Sequence, residues 1–149
     1  MLTGLLTAIA TTAKVRRELE SDYDLALRNE RLAAYRELWK RLQPLAKYFR
    51  PEAVTYRRLK QLGADLRAWY FETGGIYLTP ESRDAYFELM DGLRDAVAAR
   101  AEELDREVGT AEFERLRDQG SALRTALVGD ARTRRESALA ESNAGSASS

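Results

Sequence analysis

The sequence predicts an all-α fold, an antiparallel bundle of about four helices with a long first helix and a disordered C-terminal tail. Three observations carry that reading. Apolar residues recur at steps of three, four and seven over long stretches, which is the spacing of helix faces. Cap signatures stand at Thr55, Thr79-Pro80 and Gly109-Thr110. Between residues 69 and 83, one helix pattern runs into paired glycines, crosses Ile76-Tyr77-Leu78 and restarts at Thr79. Trp69, Tyr70, Phe71 and Tyr77 crowd that junction, so it reads as an ordered corner packed into a core.

Residues 1–13 carry no charge and are followed by Lys14, Arg16 and Arg17. As a helix they span about 20 Å, short of a hydrocarbon core of about 30 Å. Three readings stay open: the end of a truncated membrane helix, an interfacial anchor, or an apolar helix end. Residues 14–29 alternate in charge and read as a solvated helical stalk.

From Val15 to Phe49 the pattern is helical. Leu25, Leu32, Trp39 and Ala46 repeat every seven residues beside Tyr35, Leu42 and Phe49, an a/d-like coiled-coil stripe with Arg28 in one apolar slot, so the seam is expected to meet the body only after that point. Pro44 lacks an N–H and clashes with the preceding turn, which predicts a kink there or a break just before it. A second helix begins at Thr55 as N-cap, with Val54 and Leu59 at the spacing of a hydrophobic staple; Pro51 is the competing start. Its face is Leu59, Leu62, Leu66, Trp69 and Thr73, and Gly74 is expected to end it in the left-handed conformation. Thr79 caps the third helix, Pro80 presets its first φ and Glu81 suits the dipole. Tyr86, Met90, Leu93, Val97, Ala101 and Leu104 form its face, and Gly109-Thr110 is expected to separate it from the fourth. Phe113, Leu116, Gly120, Leu123 and Leu127 form the fourth face, with Gly120 small enough for close approach by a neighbour. The bundle domain thus covers residues 30–138. Residues 139–149 hold one large apolar side chain and read as a disordered tail.

Composition narrows function by exclusion. A chain of 149 residues fits one domain able to bury roughly 68–70% of its unfolded surface. With no cysteine and no histidine, thiolate metal sites, cysteine nucleophiles and the Ser-His-Asp triad are absent. Glu102-Glu103 and Asp105-Glu107 are adjacent in sequence but would not face each other on a helix. No cofactor or metal is expected. Net charge is zero, yet residues 14–67 carry 14 Lys/Arg against 8 Asp/Glu, and residues 68–149 carry 10 against 16. Complementary solvated faces account for this best. The alternative is a basic half facing an anionic membrane, and acidic residues interrupt it too often for nucleic acid.

Three stretches carry a resemblance: Tyr35…Leu38-Trp39…Pro44-Leu45…Tyr48; Trp69-Tyr70-Phe71…Gly74-Gly75-Ile76-Tyr77-Leu78…Ser82-Arg83…Tyr86-Phe87; and Ser121-Ala122-Leu123-Arg124-Thr125…Asp130…Arg134. Over about residues 31–135 the chain resembles a family of uncharacterised bacterial proteins that carry one N-terminal membrane helix before a small helical domain. The short apolar start here departs from that pattern, and no catalytic residue is implied.

The candidate polar site is Arg83, Arg124, Thr125, Asp130 and Arg134, beside a structural corner of Trp69, Gly74, Gly75 and Thr79. Arg124 is expected to tie the corner by bonding its carbonyls or Glu72; the competing reading is an anion pocket built with Arg83. Trp39 and Trp69 are expected in the core. The expected function is a non-enzymatic interaction or scaffolding module at the cytoplasmic face of the membrane. Its expected partners are the membrane, through the N-terminal segment, and a protein partner or a second copy. The alternative is a soluble anion- or nucleotide-binding regulatory domain using the arginines of the last helix.

Overall fold

The computed structural model describes residues 2–48 and 53–146, with side chains described for residues 10–48 and 53–132. Among the described residues the fold has four α-helices: α1 (Leu2–Arg41), α2 (Tyr56–Trp69), α3 (Pro80–Ala98) and α4 (Thr110–Ser146). No strand occurs among the described residues, so the protein is all-α. The chain divides into two units, Met1–Ala33 and Ala34–Ser149.

The first unit is the N-terminal part of α1. Val15, Leu19, Tyr23 and Leu25 are exposed on it, and Lys14–Glu18 and Arg16–Glu20 pair at i,i+4. Such exposed pairs contribute only a few tenths of a kcal/mol. Among the described residues no helix is long and apolar enough to cross a membrane, so the transmembrane reading of residues 1–13 is unsupported.

In the second unit, α3 packs against both α2 and α4. Leu38, Leu42 and Leu45 enter the core from the last turns of α1 and the 3-10 turn Gln43–Leu45 behind it. That turn contains Pro44, so the expected break falls just before the proline. Leu59, Leu62, Leu66 and Trp69 bury one face of α2; Tyr86, Leu89 and Leu93 that of α3; Leu116, Leu123 and Leu127 that of α4. Each large side chain so buried is worth about 1.5–3 kcal/mol of transfer free energy. Gly92 faces α4, where a Cβ would stand 3.1 Å from Leu116 Cδ2 and would displace the mobile end of Gln119.

Thr55 caps α2 as expected, its Oγ1 accepting from the Arg58 N–H at 3.3 Å. Thr79 caps α3 reciprocally with Ser82: the Ser82 N–H donates to Thr79 Oγ1 and the Thr79 N–H to Ser82 Oγ. Gly63 lies inside α2 with open space where a Cβ would be. Gly63→Ala is therefore expected to raise stability by about 0.5–1 kcal/mol, the helix-propensity gain, in a chemical-denaturation comparison.

Five expectations need correction. Trp39 is 47% exposed and outside the core, because the buried face of α1 runs through Ala34, Tyr35, Leu38 and Leu42. Thr73, expected on the buried face of α2, is exposed too. Gly74 has φ −133°, not a left-handed value; α2 passes into a π-helical turn, Tyr70–Gly74, in which the Gly75 N–H donates to the Tyr70 carbonyl. The third helix stops at Ala98 although residues 99–106 favour helix. Backbone bonds to the start of α2 win instead: Tyr56 N–H to Arg106 O, Arg57 N–H to Leu104 O, and Val108 N–H to Val54 O. Finally, α4 continues to Ser146, so residues 139–146 are helical where composition predicted disorder.

Candidate functional site

Among the described residues, two polar constellations of α4 contain residues singled out in the sequence, and they differ in what they leave free. The first centres on Asp130. Thr79 Oγ1 donates to Asp130 Oδ1 at 2.8 Å, and Ser82 Oγ donates to Oδ2 at 2.8 Å. The Tyr35 hydroxyl lies 2.9 Å from Oδ2 and 2.7 Å from the Tyr77 carbonyl, so its single proton serves both. Asp130 therefore ties α1, the residues after the glycine corner and the N-cap of α3 to α4. Its negative charge also stands at the favourable end of the α3 dipole. Ser82 is fully buried and its hydroxyl is engaged by this knot, so the Ser82–Asp130 pair is no exposed nucleophile with a base.

Trp69 secures the other side of the corner. Its Nε1–H donates to the Ala34 carbonyl at 3.0 Å, and its ring centroid lies 6.1 Å from that of Tyr86. Tyr86 in turn stacks on Tyr70 at 5.1 Å and donates its hydroxyl to the Leu66 carbonyl. Burial pushes the Tyr86 phenol up to about 12.

The second constellation is an open groove of about 390 Å³ lined by Trp39 of α1 and by Ser121, Arg124, Thr125, Val128, Gly129 and Arg132 of α4. The six α4 positions follow one another at steps of three, one, three, one and three, which places them on one face over about three turns. The Arg124 guanidinium lies over the Trp39 ring, 5.8 Å from its centroid, within cation–π range. Arg124 is half-buried, and burial pushes its pKa down. Among the described residues Arg124 and Arg132 have no carboxylate partner, and no acid lines the groove.

The residues singled out in the sequence thus separate. Asp130 and Thr79 meet at the corner. Arg124 and Thr125 line the groove instead, so Arg124 does not tie the glycines. Arg83 is exposed at the start of α3, where its N–H donates to the Thr79 carbonyl. The side chain of Arg134 lies outside the described residues. Tyr35 and Ser82 join Asp130 although neither is in the expected site, and Trp39 lines the groove instead of the core. For Ser82 a signal existed, since it sits three positions after Thr79, where a capping box closes.

No group of three or more acidic residues that could hold a metal ion occurs among the described residues. No family model, no curated protein and no solved structure matches the chain.

Proposed function

We propose that this chain is a non-enzymatic interaction module. Its second unit, packed as an antiparallel bundle, offers the groove between α1 and α4 to a partner. The observation that carries this reading is the Trp39–Arg124 pair. A half-exposed indole and a half-buried guanidinium without a carboxylate form a surface that leaves apolar area in water and a charge poorly solvated. Both costs fall when a partner covers them. Tryptophan and arginine are also the residue types that dominate binding energy at interfaces, above all when surrounded by residues that exclude water. Ser121 and Thr125 supply hydroxyls at the rim, and Gly129 keeps the floor low.

A photoreactive amino acid placed at Val128, inside the groove and exposed, tests this reading. Irradiation in cells is expected to give a covalent adduct with a second polypeptide. Adding Trp39→Ala and Arg124→Ala is expected to abolish it while the thermal melt stays near that of the parent. Absence of any adduct from the parent chain would remove the module reading.

A further inference from the structure

Resting on the reading of the groove as a binding face, we infer that its occupant is helix α3 of a second copy of this chain. The outer face of α3 is acidic: Glu81, Asp84, Glu88, Asp91 and Asp95 follow one another at steps of three and four and all are exposed. Arg94 neutralises the far end, pairing with Asp91 at 2.9 Å and Asp95 at 3.2 Å. Glu81, Asp84 and Glu88 have no basic partner among the described residues. Phe87 borders this stripe on the side of Asp84 and Asp91, three positions after one and four before the other, and is 46% exposed, its ring centroid 5.4 Å from that of Tyr70.

The two faces match in charge, in apolar content and in spacing. The groove offers two guanidinium groups eight positions apart, about 12 Å along α4. Glu81 and Glu88 are seven positions apart, about 10.5 Å along α3. Docked together, the carboxylates of α3 meet Arg124 and Arg132, and Phe87 supplies the apolar cover that Trp39 lacks. Charge of one sign on the groove and of the other on α3 steers the encounter and rejects the pairings groove to groove and α3 to α3. Each copy carries both faces. Two copies therefore engage twice across a two-fold axis, or successive copies engage head to tail.

The experiment is sedimentation velocity on the full chain over a wide concentration range, at low and at high salt. The expected result is a mass above the 16.9 kDa of one chain that grows with concentration and falls with salt. The variant Arg124→Glu/Arg132→Glu is expected to weaken association on the order of a hundredfold or more, because like charges then face each other. Asp84→Arg/Glu88→Arg changes only exposed side chains, so it tests the other face without disturbing the fold; it is expected to weaken association equally. Mixing the two variants restores both charge matches, and association is expected to return. A wild-type chain that stays monomeric throughout, or association that survives both charge reversals, would overturn the proposal. So would a monomer whose melting temperature rises with inorganic phosphate in an Arg124-dependent way. If the Val128 adduct contains a different protein while the chain alone is monomeric, the module reading stands and the self-pairing falls.

Discussion

Gly74→Val is expected to cost about 3 kcal/mol of stability, the upper part of the range for overpacking a core. A Cβ at Gly74 would stand 2.1 Å from Trp69 Cζ2 and 2.9 Å from Cη2, far inside any real contact. The indole has nowhere to retreat: it is fully buried, held through Nε1 to the Ala34 carbonyl and packed beside Tyr86. The backbone has little freedom either. The Gly75 N–H is bonded to the Tyr70 carbonyl across the π turn, and a Cβ at Gly75 would stand 2.4 Å from that same oxygen. Denaturant unfolding measures the loss, and a double-mutant cycle identifies its cause. In a Trp69→Phe background the overlapping atoms are removed, so the glycine substitution is expected to cost distinctly less. An additive cycle would show that the requirement lies in the backbone and not in the indole.

Asp130→Asn is expected to cost about 1–3 kcal/mol, because a nearly isosteric amide replaces an acceptor that serves hydroxyls of Tyr35, Thr79 and Ser82. The amide NH₂ turns donors toward donors. Tyr35→Phe is expected to cost less, since it removes one of those hydroxyls and leaves the Tyr77 carbonyl to find another donor. The two substitutions share a hydrogen bond, so their effects are expected to be coupled when combined. An unchanged melting temperature for Asp130→Asn would mean that the knot contributes nothing net. The groove offers an internal contrast. Arg132→Glu alters an exposed charge with no partner among the described residues and is expected to leave folding stability within about 0.5 kcal/mol of wild type.

Helix type and the buried faces of α2 and α4 were legible because periodicity and capping act locally. Leu59, Leu62, Leu66 and Trp69 lie where steps of three and four place them, and Thr55 and Thr79 cap as their positions suggest. The seven-residue row misleads at Trp39, since Leu38 and Ala34 offer a second apolar row one position away and packing alone selects between them. The end of α3 was illegible for the same reason. Residues 99–106 favour helix locally, and carbonyls needed by distant amides override that preference. At the site, Asp130 and Thr79 are legible but the bonds from Tyr35 and Ser82 are not, Tyr35 standing 95 residues away in sequence. Gly74 was singled out for the wrong physics: the sequence signals a glycine and a nearby tryptophan but not that one occupies the other's space.

The bonds that cut α3 short also change what the first turn of α2 reports. The leading amides of a helix have no carbonyl of their own helix to bind, so they ordinarily face water and exchange hydrogen readily as the end frays. Those of Tyr56 and Arg57 are held instead by Arg106 and Leu104, roughly fifty residues further along the chain. Their deuterium uptake is therefore governed by the opening of the connection between α3 and α4 and not by fraying of α2. A helix start that depends on residues beyond the next helix is also a late contact by loop-closure entropy. In the order of folding, the beginning of α2 is therefore expected to be completed after its own middle.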